Sequence, residues 1–255
     1  MHEVCGLCEY CVKGEWVYCT GDFKKYGFGN ADQGSFSSGA VWKEPYLFHI
    51  PDSMASDVAA PLMCAGITVF APLAEFGVKP TDVVGVVGIG GLGHLAIQFA
   101  AKMGCEVVAL SSTEVKKEEA ISLGATHFLA TKGRTNLSVP RKINHLIVTT
   151  SKMPDWNLYD SILAPMAAIY PLTITDFEQK LEIPFMRFLL SGRKVIGSTV
   201  PPKGVYVDML DFAARNNVKP IIERFPLTKE GVVDSLTKLD EGKMRYRGVL
   251  YAEGH

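Results

Sequence analysis

The sequence has almost no excess charge of either sign. Lys and Arg number 26 against 27 Asp and Glu, a formal net charge of −1, so no overall basic field exists to hold nucleic acid or an anionic membrane surface. No secretory leader is expected either: Met1-His2-Glu3-Val4-Cys5 opens neither a basic nor an apolar segment, and a cytoplasmic location is expected. Between Asp82 and Lys102 the chain carries no formal charge, but Gly85, Gly88, Gly90, Gly91, Gly93, His94 and Gln98 interrupt the stretch, so no membrane span is expected there. Internal repeats and low-complexity tracts are absent too. What remains is a chain of 255 residues, 47% hydrophobic and 21% charged, which suits one large or two modest packed domains.

Cysteine is scarce beyond the first nineteen residues. Six occur, at positions 5, 8, 11, 19, 64 and 105. The spacing Cys5-x2-Cys8-x2-Cys11-x7-Cys19 sets three thiolates on successive tight turns and returns a fourth, enough to surround one tetrahedral ion with no open position, a structural zinc. A disulfide framework would need an oxidising compartment that nothing here supports. An iron–sulfur run would close after three residues with a proline, whereas seven residues intervene and Thr20 follows. Zinc is the better reading.

A β-branched run, Val83-Val84-Gly85-Val86-Val87, leads directly into Gly88-Ile89-Gly90-Gly91-Leu92-Gly93. Leu92, Leu95, Ala96, Phe99 and Ala100 then recur at helical spacing until Gly104. Strand, glycine turn and helix thus appear in the order a dinucleotide site requires. A turn without side chains lets backbone approach a pyrophosphate, and the helix N-terminus attracts its charge. The next strand, Cys105 to Leu110, ends in Ser111-Ser112-Thr113, where an NAD site would carry an acid for the ribose hydroxyls. Hydroxyls followed by Lys116 and Lys117 suit a 2′-phosphate, so NADP is preferred over NAD, although Glu114 lies nearby.

The alternation continues with a helix near 115–123 and strands near 127–130, 145–149, 167–172 and 194–197, which predicts an α/β doubly wound parallel sheet of six strands. Helices near 205–215 and 229–241 and short strands near 220–224 and 248–252 change the pattern and suggest a return to another domain.

Together these features resemble the zinc-containing medium-chain alcohol dehydrogenase family, most closely its NADP-dependent, cinnamyl-alcohol-dehydrogenase-like branch. The resemblance covers nearly the whole chain. It rests on the four-cysteine lobe, the glycine turn, the Ser-Ser-Thr strand end, the run Ala59-Ala60-Pro61-Leu62-Met63-Cys64-Ala65-Gly66-Ile67-Thr68, and the tail motifs Leu210–Arg215 and Gly242–Leu250. It implies a Rossmann domain over 66–211, a partial GroES-like catalytic domain with the zinc lobe over 1–65, and a return to that domain over 212–255. It also implies that Cys64 is a ligand of a catalytic zinc and Thr68 a neighbour of the nicotinamide, with Thr150, Ser198 and Thr199 meeting the cofactor. Read from the residues alone, Cys64 could equally be a small core residue at a helix start. Val200-Pro201-Pro202 departs from the family pattern.

The family takes a second cysteine and a histidine for its catalytic zinc from a segment preceding the structural lobe, whereas here only four residues precede Cys5, so a fragment or short form is expected. His94 reads as part of the cofactor helix, and His2, His49, His127, His145 and His255 as surface or packing residues. The implied activity is hydride transfer between NADP(H) and a primary alcohol or aldehyde, in a homodimer. Two alternatives stay open: a catalytically inactive NADP- and zinc-binding chain, and a zinc-independent quinone or enoyl reductase, against which Cys64 and the four-cysteine lobe argue. An uncovered apolar interface would favour aggregation of the isolated chain.

Overall fold

The computed structural model describes residues 3–25, 34–37, 39–172, 174 and 178–252. His2 and His255 lie outside them. In chain order the elements are α1 (Glu9–Val12), α2 (Ser56–Pro61), a π turn (Leu62–Gly66), α3 (Ile67–Glu75), β1 (Val83–Val87), α4 (Gly93–Lys102), β2 (Glu106–Ser111), α5 (Lys117–Ser122), β3 (His127–Ala130), β4 (Ile143–Val148), α6 (Trp156–Asp160), β5 (Leu163–Pro171), α7 (Phe185–Ser191), β6 (Lys194–Val195), α8 (Lys203–Asn216), β7 (Ile222–Pro226), α9 (Lys229–Asp240) and β8 (Arg247–Tyr251). They form two compact units, Thr68–Ser198 and the discontinuous Met1–Ile67 with Thr199–His255. Residues 199–211, read from sequence with the nucleotide-binding domain, cluster in the discontinuous unit.

The contiguous unit holds a six-stranded sheet in the order β3-β2-β1-β4-β5-β6, and its strand pairs are parallel. Order reverses between β1 and β4, which makes the C-terminal end of β1 the topological switch point. All five residues of β1 are buried, as a sheet covered on both faces requires. Val83 and Val87 join one core cluster with Val108, Leu110, Trp156 and Phe188. The alternate residues Val84 and Val86 are equally buried, and on α4 so are Leu95, Ala96, Phe99 and Ala100, with the Phe99 ring edge-on to Phe70 at 5.1 Å.

Two strands differ from the sequence reading. β6 spans two residues rather than four: after Ile196 N–H donates to the Ile169 carbonyl (2.9 Å), no further ladder bond forms among the described residues. β5 begins at Leu163 instead of near 167: pairing jumps from Ile143↔Leu163 to His145↔Ala168, a bulge that leaves Met166 at φ 59°. The Arg193 side chain, 7% exposed, secures this irregular entry by ion-pairing with Asp160 and donating to the Asp160 and Leu163 carbonyls at 3.2 Å each.

In the discontinuous unit β7 and β8 pair in parallel, joined by α9, whose N-cap Thr228 accepts from Gly231 N–H at 3.1 Å. The run Ser56–Glu75 has the length and apolarity of a membrane span, yet 61% of its apolar window is buried within the protein. That is the pattern of a core helix. Pro61 lies inside this run and has no N–H for a carbonyl one turn back; a π turn follows it directly.

At the N-terminal edge of the sheet, His145 is buried between the Tyr170 hydroxyl (3.0 Å from Nδ1) and Asp82 (3.3 Å from Nε2). Burial lowers its pKa below the ordinary 6.5, with Asp82 opposing. The folded state therefore favours neutral imidazole, and its contribution to stability is present above about pH 6.5 and is lost as pH falls below it. Thermal melts across this range should show stability declining with acidification, with a shallower decline in His145→Gln.

Candidate cofactor cleft and metal centre

The end of β1 turns sharply because Gly88 adopts φ +90°, a conformation open to glycine. Its N–H donates to the Leu110 carbonyl at 2.8 Å, tying the turn to β2. A Cβ at Gly93 would lie 1.8 Å from the Gly88 carbonyl oxygen, so α4 reaches the strand end only with glycine there. Gly90 is different: a Cβ there meets nothing within 4 Å. His94 is fully buried beneath the turn, its Nδ1 2.9 Å from the Gly90 carbonyl, and so serves the loop's shape.

Above this turn opens a cleft of about 520 Å³, lined by Gly88 and Gly90, Ser111, Ser112, Thr113 and Lys116, and Thr150, among others. Seven sequence-predicted residues thus share one cavity. Lys116 reaches back to the glycine turn, its Nζ donating to the Ile89 carbonyl at 2.6 Å. Gly93 supports the turn, and Gly91 lies within it. Thr68 and Ser198 are instead the first and last residues of the contiguous unit, and Thr199 opens the return of the other. None of these three lines the cleft.

Among the lining residues that escape the sequence reading are Thr149, Thr131 and Tyr159. Thr149 Oγ1 lies 2.9 Å from both the Val87 and Gly88 carbonyls, bridging β4 to the glycine turn. Thr131 follows β3, and Tyr159 comes from α6. The signal available was position: Thr149 and Thr131 immediately follow apolar strands, where parallel sheets gather ligands.

The four-cysteine lobe places all its ligand atoms within 4.8 Å of one another. Cys5 Sγ is 3.8 Å from Cys11 Sγ and 3.5 Å from Cys19 Sγ. Sulfurs held about 2.3 Å from one tetrahedral zinc stand roughly 3.8 Å apart, so the donor set fits that ion. Backbone N–H groups of Cys11 and Thr20 hold the Cys8 thiol down to about 5, as thiolate ligation favours, while burial pushes Cys11 up to about 12.

Cys64 is exposed, which removes the core-residue reading. It sits mid-run on the π turn rather than at a helix start, because α2 already precedes Pro61. Among the described residues the lobe is the one cluster of three or more metal-ligating side chains, and Cys64 is outside it. Catalytic zinc needs three protein ligands and an open position, so that group does not fit the described residues.

A family model for zinc-binding dehydrogenases matches residues 91–215. Aldehyde reductase AdhA of Synechocystis sp. is 36% identical over 248 residues, covering 96% of this chain and 71% of that protein. Cinnamyl alcohol dehydrogenase 8 of Arabidopsis thaliana is 33% identical, with 96% and 69% covered. Among solved structures, a cinnamyl alcohol dehydrogenase of Sorghum bicolor superposes with a TM-score of 0.83 at 30% identity, covering 97% of this chain and 72% of that one. CAD from Helicobacter pylori, complexed with NADP(H), gives a TM-score of 0.84 at 27% identity, with 97% and 72% covered. The chain belongs to the zinc-containing medium-chain alcohol dehydrogenase family, on its cinnamyl-alcohol-dehydrogenase-like side.

The two glycines separate fold from binding. Gly90→Ala should melt within a degree or so of the parent while losing most dinucleotide affinity, because its Cβ enters the cleft. Gly93→Ala should lose stability outright. Thermal melts paired with NADPH titration read both outcomes.

Proposed function

We propose that the chain is an NADP(H)-dependent oxidoreductase component acting on small alcohols and aldehydes. The observation that carries this reading is the convergence of Gly88, Gly90, Ser111, Ser112, Thr113, Lys116 and Thr150 on one cleft at the switch point. NADP, when bound, supplies the hydride acceptor and donor. The chain's own residues do the holding. The open face at Gly90 and the N-terminus of α4 receive the pyrophosphate. Ser111, Ser112 and Thr113 offer hydroxyls to the 2′-phosphate, and Lys116 exchanges the Ile89 carbonyl for that charge. The relatives' printed activities, aldehyde reductase and cinnamyl alcohol dehydrogenase, support the substrate class; on the family's motif Thr68 is assigned beside the nicotinamide, and Ser198 and Thr199 to contact with the cofactor.

Cys5, Cys8, Cys11 and Cys19 would hold a structural zinc, in keeping with a reducing compartment such as the cytoplasm. We assign no catalytic step to Cys64. A second reading, an NADP- and zinc-binding chain without dehydrogenase activity, is favoured by the isolation of Cys64 from the metal-ligating cluster. One preparation distinguishes them. Both readings expect one zinc per chain by elemental analysis and NADPH binding by fluorescence; aldehyde-dependent NADPH oxidation that chelator abolishes supports the first, and its absence supports the second. Zinc-free protein that binds no NADPH would sink both.

The proposed partner is a second copy. On α7, Phe185, Met186, Leu189 and Leu190 are 57–80% exposed, beside the short strand β6 that ends the sheet. So much apolar surface on one short helix marks an association site. Sedimentation should show a dimer, reduced to monomer by Leu190→Glu.

A further inference from the structure

Consecutive carbonyls of the glycine turn are each taken up by a side chain from outside it: Gly88 by Thr149 Oγ1 at 2.9 Å, Ile89 by Lys116 Nζ at 2.6 Å and Gly90 by His94 Nδ1 at 2.9 Å. The N–H groups of Ile89, Gly90, Gly91 and Leu92, by contrast, enter no hydrogen bond among the described residues. With its acceptors occupied and its donors open, such a turn attracts anions. The direction in which each peptide faces therefore sets the sign of the potential at the cleft.

Thr149 acts on the peptide that turns over most easily. Gly88 stands at φ +90°, and a glycine backbone passes between its two hands at little steric cost. Its carbonyl oxygen is pressed against the start of α4, where a Cβ at Gly93 would lie 1.8 Å from that oxygen and 3.0 Å from Thr149 Oγ1. The Val87 carbonyl, also 2.9 Å from Oγ1, already receives Thr149 N–H at 2.9 Å. The Gly88 carbonyl has no other donor among the described residues. A threonine hydroxyl has one proton to give, and Gly88 is where it is needed. In a trans peptide the N–H points opposite the carbonyl, so the bond that holds the Gly88 carbonyl against α4 directs the Ile89 N–H away from it. Without the hydroxyl, that carbonyl gains a donor by turning toward water in the cleft, which Gly88 and Ile89 line. A negative dipole then replaces a positive one where a phosphate would sit.

We propose that Thr149 is a positioning residue for the pyrophosphate end of the cleft, its hydroxyl fixing the Gly88–Ile89 peptide with the carbonyl turned in and the N–H turned out. The inference rests on the NADP(H) reading above and extends it to a residue that acts through the backbone of the turn. The 2′-phosphate end has a separate tie, Thr131 Oγ1 to the Ser111 carbonyl at 3.1 Å. Loss of the Thr149 hydroxyl therefore acts on the pyrophosphate end and not on the 2′-phosphate end.

The probes are 5′-ADP, which carries the pyrophosphate, and 2′-AMP, which carries the 2′-phosphate alone. Both are titrated calorimetrically against the full chain and against Thr149→Val, Thr149→Ala and Thr149→Ser, with a melting temperature for each. Thr149→Val keeps the shape of the side chain and Thr149→Ala removes it, both without the hydroxyl, whereas Thr149→Ser keeps the hydroxyl. The expected result is that Thr149→Val and Thr149→Ala each weaken 5′-ADP by about five-fold, the scale of one neutral hydrogen bond, and leave 2′-AMP unchanged, while Thr149→Ser retains parental affinity for both. If the hydroxyl-free variants keep parental affinity for 5′-ADP, or weaken both probes equally as a general loss of structure would, or if Thr149→Ser behaves as they do, Thr149 has no positioning function. A parent that binds neither probe overturns the dinucleotide reading and this inference with it. A parent that binds 5′-ADP alone overturns only the preference for NADP, and adenosine then replaces 2′-AMP as the control.

Discussion

The approach of α4 to the end of β1 is the constraint on which the cleft depends. With Gly93 packed against the Gly88 carbonyl at a distance no side chain tolerates, the first turn of the helix is pressed into the mouth of the sheet. Every other tie at the site follows from that packing. Gly88 turns toward β2, Thr149 spans across from β4, and His94 fills the space beneath the loop. The resulting surface is bare backbone flanked by hydroxyls, at the point where strand order reverses.

Features contiguous in the chain were legible in the sequence. The glycine turn, the Ser111-Ser112-Thr113 strand end and the cysteine quartet each carry their chemistry within a few residues, and the parallel sheet follows from alternating strands and helices. Thr131 and Tyr159 were not legible, since their place at the cleft depends on residues far along the chain, and neither residue type is unusual after a strand or in a short helix. The bulge that sets Met166 at positive φ and the π turn carrying Cys64 were missed for a related reason. Both are local departures that distant packing sustains, and periodicity has no term for them.

The two metal readings show how differently a motif and a lone residue fare. The quartet needs nothing beyond residues 5 to 19, and its four sulfurs already lie within 4.8 Å of one another. Cys64 has the family's local context, an exposed position and a helical distortion around it, yet a ligand set is a property of several segments at once. Relatives of which this chain spans 71% and 69% have further sequence in which such segments can lie.

The discontinuity of one unit has a consequence in time. Residues 68 to 198 contain every strand of the large sheet, so that unit can fold as soon as its stretch has left the ribosome. The zinc lobe closes over an even shorter span, so its loop-closure cost is smaller still. The contact of β8 with α2, and its pairing with β7, instead join segments far apart in the chain. Loop-closure entropy thus favours the metal lobe and the sheet over the contact of β8 with α2, whose partners stand far apart in the chain.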